Sequence, residues 1–126
     1  MMMVKYTSKA IPSKKLESKT LQDKEYNRLV DETFSLIEEE IDALQGDFET
    51  DISGSLLRIE LPDKSEIVIS RQISTHEIWI AAKSGGYHLC AVSGREWHCK
   101  ASEEGLSTLL SRLIKEQSGV AVRILN

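Results

Sequence analysis

The hydrophobic rhythm of this chain changes twice, and that constrains its fold more than any other feature. From Asp23 onward, Tyr26, Val30, Phe34, Ile37, Ile41 and Leu44 recur three and four residues apart, which lines up one buried face of a helix. Thr20 ahead of Asp23 offers a start and Gly46 a stop. The period then drops to two. Phe48 to Ser53, Leu56 to Leu61, Glu66 to Arg71, Glu77 to Ala82, Tyr87 to Val92 and Glu96 to Cys99 are short segments of alternating or β-branched content, as half-buried strands are. Ser53-Gly54-Ser55, Pro62-Asp63-Lys64, Ser84-Gly85-Gly86 and Ser93-Gly94-Arg95 separate most of them as turns. A helical period returns at Leu106, Leu109, Leu110, Leu113 and Ile114, with Ser102 as candidate cap and Gly119 as stop. Short loops between strands imply an antiparallel meander. Helix, strands, helix predicts an α+β two-layer sandwich, with both helices on one face of a single antiparallel sheet. The other face is left to solvent or a partner.

At 126 residues the chain suits one domain with a core that needs no metal or disulfide staple. Residues 1–19 mix Lys, Ser and Pro12 without periodicity, so 1–22 reads as a flexible basic extension and 23–126 as the folded domain. The extension lacks the apolar core of a secretory signal and the arginines of an organelle transit peptide. No apolar run approaches the roughly 18 residues of a membrane span, so a cytoplasmic location is expected. Cys90 and Cys99 stand in no short motif and read as reduced thiols.

The net charge of −4 conceals a segregation. Residues 1–19 carry five lysines against Glu17, whereas Asp23 to Asp51 carry eleven acids against Lys24 and Arg28. Such a surface repels nucleic acid and anionic lipid and attracts cations or basic protein patches. At ~100° per residue the helical acids form two stripes, Asp31, Glu38, Asp42 and Glu25, Glu32, Glu39, which together make a carboxylate ridge. Asp47, Glu49 and Asp51 are spaced to lie on one side of a strand. Lysines at i+4, which would relieve the repulsion, are nearly absent. A solvated helix face is one reading; the other is an exposed, weak site for hard cations, which favour carboxylate oxygen.

Trp79 lies between Ile78 and Ile80 in an alternating strand. If the isoleucines face the helices, Trp79 faces outward as an interface anchor; Trp97, alternating with Cys99, reads as core. With Tyr87 and Leu89 inward, His88, Cys90 and His98 share the outer face, a soft-metal alternative whose spacing fits no standard zinc pattern. His76, in a loop, reads as solvated. Gly-rich phosphate loop, nucleophile elbow and helical histidine pair are all missing, so the chain is not read as an enzyme.

The stretch Ser70-Arg71-Gln72-Ile73-Ser74-Thr75-His76-Glu77-Ile78-Trp79-Ile80-Ala81-Ala82 resembles the signature of the frataxin family, in which Asn and Gln two apart precede a loop and an aliphatic-Trp-aliphatic strand. Ser84-Gly85-Gly86-Tyr87-His88 and Glu96-Trp97 resemble its bacterial, CyaY-like branch. The resemblance runs from about Lys24 to the C-terminus. It implies an iron-binding accessory protein of iron–sulfur cluster assembly. Such a protein regulates a cysteine desulfurase, delivers iron to the scaffold protein, and is a monomer or an iron-dependent oligomer. Carried over by position, ferrous or ferric iron would bind weakly at Asp23, Glu38, Glu39, Asp42, Asp47, Glu49 and Asp51, where other hard cations could substitute. Partners would dock on Trp79 and Gln72, with Glu38, Glu39 and Asp42 also in contact. Ser70 replaces the family's usual Asn, Asn27 a frequent His, and Ala43 and Gln45 frequent acids. The alternative function is a ferroxidase or iron store acting as an oligomer, although the Glu-x-x-His motif of ferritin-like di-iron centres is absent.

Overall fold

A computed structural model describes residues 22–93 and 96–125. Thr20, most of the basic extension, and Gly94 and Arg95 of the last expected turn lie outside the described residues. The order of elements is α1 (Asp23–Asp42), β1 (Glu49–Ser53), β2 (Leu56–Glu60), β3 (Glu66–Gln72), β4 (Glu77–Ala82), β5 (Gly85–Ser93), β6 (Glu96–Cys99), β7 (Glu104–Gly105) and α2 (Leu106–Ser118). The strands form one seven-stranded sheet in sequential order, every neighbouring pair antiparallel. This is the expected meander, and both helices cover one face of it.

Side-chain alternation decides what that face carries. Ile59, Ile67, Ile69, Ile78, Ile80, Leu89, Trp97 and Cys99 point toward the helices and are buried. They meet Tyr26, Val30, Phe34, Ile37 and Ile41 from α1 and Leu109, Leu110, Leu113 and Ile114 from α2. Both helical stripes are therefore the buried faces that the spacing predicts. Thr33 is the buried polar residue of this core, and its hydroxyl is doubly used. It donates to the Leu29 carbonyl at 2.8 Å and accepts the Trp97 indole N–H at 3.0 Å, so neither buried group is left unsatisfied.

Three details depart from the sequence expectation or go beyond it. α2 begins at Leu106 behind Gly105, not behind Ser102, because the two-residue strand β7 occupies Glu104–Gly105 and pairs with His98 and Cys99. The residues after Gly119 (φ 82°) do not simply leave the fold. Ile124 is buried, its N–H bonded to Ser111 Oγ at 3.1 Å, and the Leu125 N–H donates to Glu40 Oε1 at 2.7 Å. The tail thus closes over the gap between the helices. His76 is the third. Its backbone takes φ 55° in the β3–β4 loop, but the side chain is largely covered. Its Nε2 lies 2.8 Å from Asp23 Oδ1 and its ring centroid 5.0 Å from that of Tyr26.

Candidate functional site

The acidic surface is two regions, not one ridge. Along the first half of α1 the carboxylates have partners. Arg28 pairs with Glu25 and with Glu32, the latter at 2.6 Å, and the Arg28 guanidinium holds the Glu25 carboxyl below its usual range. Arg71, reaching from the end of β3, donates to Asn27 Oδ1 at 2.8 Å and Asp31 Oδ1 at 2.7 Å while its guanidinium rests over the Phe34 ring. Asn27, at a position where the family often has His, is thus the neutral half of a clamp between helix and signature strand.

Beyond Phe34 that compensation stops. The last turn of α1 holds no basic residue, so Glu38, Glu39 and Asp42 sit where the helix dipole is itself negative. Among the described residues Glu38, Glu39, Asp47 and Glu49 form no ion pair. Asp42 Oδ1 accepts a 3.2 Å hydrogen bond from Thr50 Oγ1, which ties the helix end to edge strand β1.

Strand alternation divides the remaining acids. Glu49 and Asp51 align with Glu60 and Arg58, and Asp51 lies 3.8 Å from the Arg58 guanidinium. They occupy the sheet face turned away from the helices, whereas Thr50, beside the buried Ile59, turns inward. The carboxylates therefore wrap around the sheet edge. Asp47 precedes the strand and lies outside its alternation. Asp23 belongs to neither group: nineteen residues of helix place it roughly 28 Å from Asp42, against His76. Among the described residues, no three His, Cys, Asp or Glu side chains converge as a metal-holding group. A cation on this surface would keep most of its water and take one or two carboxylates at a time.

On the uncovered sheet face, Ser70, Trp79 and His88 stand side by side on β3, β4 and β5. Trp79 is 36% exposed, flanked by the fully buried Ile78 and Ile80, so the outward register holds. Its ring lies parallel to that of His88, 8° apart in plane with centroids 4.2 Å apart, and its indole N–H donates to Glu77 Oε1 at 2.8 Å. Gln72, in the neighbouring row, donates from Nε2 to Ser70 Oγ at 3.3 Å. Cys90 and His98 face each other across β5 and β6. His88, Cys90 and His98 do share the outer face, but they form no metal-holding group.

The loop beside this row is fastened by a group that sequence periodicity marks only as core. Tyr26 is buried, yet its hydroxyl donates to the Glu77 carbonyl at 2.5 Å and accepts the Gln72 N–H at 2.8 Å. Burial raises the Tyr26 pKa. The two ends of the loop are pinned to the first helix, and Gln72 and Trp79 hang from them. Arg71 has the same logic: in the sequence it is a charged residue in a strand, and only the fold shows it inside, 18% exposed, against the helix.

Comparison with known proteins agrees with this architecture. The Frataxin-like domain family matches residues 19–120. The "Iron-sulfur cluster assembly protein CyaY" of Photobacterium profundum is 41% identical over 102 residues, 81% of this chain and 96% of that protein. Its namesake in Vibrio campbellii is 34% identical over 102 residues, 81% of this chain and 97% of its own. The solved frataxin of Psychromonas ingrahamii superposes with a TM-score of 0.73 at 32% identity, over 80% of this chain and 95% of that one. With its signature strand, helix order and sheet matched over four-fifths of its length, the chain belongs to the frataxin-like family.

Proposed function

We propose that this protein is an accessory factor of iron–sulfur cluster assembly in the cytoplasm. In this reading it binds iron weakly, modulates a cysteine desulfurase and passes iron to the scaffold, without being an enzyme itself. The observation that carries the reading is the uncompensated carboxylate surface of Glu38, Glu39, Asp42, Asp47 and Glu49, kept in a protein whose relatives are named for cluster assembly. A purely structural helix end would gain from a lysine there.

Exposed carboxylates hold hard cations loosely and exchange them quickly, which suits delivery better than storage. The same charges raise the encounter rate with a basic patch on the desulfurase. Trp79, stacked on His88 and hydrogen-bonded through its indole, offers a preorganised anchor for the scaffold.

The test is a desulfurase assay with and without the protein at several ferrous iron concentrations, joined to an NMR titration with the same metal. The expected result is an iron-dependent change in sulfide production and perturbed amide signals from Glu38 to Glu49. Shifts centred on His88, Cys90 and His98, or an assay indifferent to the protein, would overturn the reading.

A further inference from the structure

The sheet is bare along β1. That strand is terminal in the sheet, and among the described residues no backbone hydrogen bond reaches its outer side. An unpaired edge is a template for another strand, which native proteins cover or blunt. Ile52 stands in the helix-side row opposite the buried Leu57, yet it is 39% exposed because the sheet ends beside it. On the other face the edge is acidic and short of cations. Glu49 lies directly opposite Glu60 and has no ion pair of its own among the described residues, a like-charge pairing that destabilises a sheet. Arg58 is shared between Asp51 at 3.8 Å and Glu66 at 3.3 Å. The edge therefore fits an extended segment with lysines on one side and apolar residues on the other.

Residues 4–9, Val4-Lys5-Tyr6-Thr7-Ser8-Lys9, have that arrangement. Extended, they put Lys5, Thr7 and Lys9 on one side and Val4, Tyr6 and Ser8 on the other. So short a stretch shows no period of its own and forms no stable strand without a template, although Val, Tyr and Thr favour one. It precedes residue 19, where the family match begins, so the family fold does not account for it. Its direction follows from where the chain must go next. Ser53 shares a row with Leu56 and Ser70, two residues short of Gln72, whose N–H is held by Tyr26 near the start of α1. The end of β1 and the start of α1 thus lie at one end of the sheet. A strand parallel to β1 finishes at that end, and α1 becomes the helical crossover that parallel neighbours need. Such a strand is three spacings from β3, roughly 14 Å, and residues 10–21 span up to about 40 Å, so the connection is easily made.

We infer that residues 4–9 add to the free edge of β1 as a parallel eighth strand, with Lys5 and Lys9 on the face of Glu49 and Asp51 and Tyr6 on the helix side, within reach of Ile52. Tethering makes weak pairing sufficient: a local concentration in the millimolar range leaves a site of millimolar affinity about half occupied. The added strand covers Glu49 and Asp51 and leaves Glu38 and Glu39 open. That it thereby holds a cation off the β1 end rests on the iron-binding reading above; the test of docking contains no iron, so the two fail separately.

Nitroxides on Ala10→Cys and, in a second sample, on Met3→Cys test the contact by paramagnetic broadening in the full chain carrying Cys90→Ser, with Cys99 buried. At low salt the label at residue 10 should remove about half the amide intensity of Ser53 and Gly54, and the label at residue 3 about half that of Asp47 and Phe48. Both losses should disappear in the Lys5→Glu/Lys9→Glu variant and shrink at about 1 M salt, where the screening length is near 3 Å. The reverse pattern, residue 10 broadening Asp47 and residue 3 broadening Gly54, would refute the parallel strand. Broadening centred on Leu36 or on Trp79, or none at all, would overturn the docking itself. A mixture of spin-labelled chains with isotope-labelled chains that carry no nitroxide completes the test: β1 signals broadened there would place the segment on a second copy and refute docking within one chain.

Discussion

The two tryptophans stand two strands apart on one sheet and face opposite ways. Trp97 on β6 is 3% exposed, its indole N–H closed off by Thr33 and the edge of its ring set against Tyr26 at 81°. Trp79 on β4 is 36% exposed on the uncovered face, stacked on His88 and hydrogen-bonded to Glu77. The same residue type serves the stability of the fold in one place and is left available in the other. Comparing them teaches where packing ends and recognition begins, and Tyr26 links the two: its ring meets Trp97 and its hydroxyl holds the backbone of Glu77.

Truncating each ring is the strongest way to break this comparison. Trp97→Ala should cost about 3–5 kcal/mol of unfolding free energy, as loss of a large buried aromatic does. Trp79→Ala should cost less than about 1 kcal/mol while weakening docking on a desulfurase–scaffold complex by roughly 2 kcal/mol. Denaturant titration and binding isotherms on the same preparations check both. Equal stability losses would mean that Trp79 is structural after all.

The link can be tested more finely through Tyr26→Phe. Removing the hydroxyl strands the Gln72 N–H and the Glu77 carbonyl, each part-buried, for a loss of roughly 1–2 kcal/mol. Its pH signature is specific. Burial raises the folded-state pKa of Tyr26 above its ordinary value of 10.0. The folded state therefore holds the phenolic proton more tightly, and this contribution is complete below about pH 10 and lost as pH rises through the raised value. The parent should show an alkaline fall in stability that Tyr26→Phe lacks. Parallel alkaline profiles for the two proteins would show that the phenol titrates alike folded and unfolded.

Much of this was legible before any coordinates. The two helical stripes, the meander and the outward register of Trp79 follow from periods of 3.6 and 2, because those periods express which side of an element is buried. The division of the acids was not legible. Asp31 and Glu38 look alike on a helical projection, and only the arrival of Arg71 from a strand forty residues away distinguishes them. Likewise, spacing put Glu49 and Asp51 on one side of a strand but could not say that this side faces away from the helix carrying Glu39. The start of α2 is misplaced in the sequence because Ser102 has capping chemistry, while Glu104–Gly105, which turns back to pair with Cys99 and His98, is too short to show an alternation of its own. His76 reads as solvated in the sequence for a different reason: its partner, Asp23, is fifty-three residues away.

The smallest effect tests the division of the acids directly. Glu39 lies near the C-terminal end of α1, beside Glu38 and three residues before Asp42, with no ion pair among the described residues. Glu39→Gln removes repulsion within the helix and an unfavourable charge at its negative pole, gains of a few tenths of a kcal/mol. In a domain of this size that should raise Tm by about 1–4 °C at low salt. The increase should shrink as salt screens the same repulsion. Asp31→Asn makes the opposite case: it gives up the 2.7 Å pair with Arg71, so Tm should stay level or fall, with exposure of the carboxylate limiting the loss. Thermal melts of the two variants across a salt series therefore differ in sign, although both remove one negative charge from the same helix. If both variants melted higher than the parent by the same amount, net charge alone would govern the helix, and the distinction between its compensated and uncompensated halves would fail.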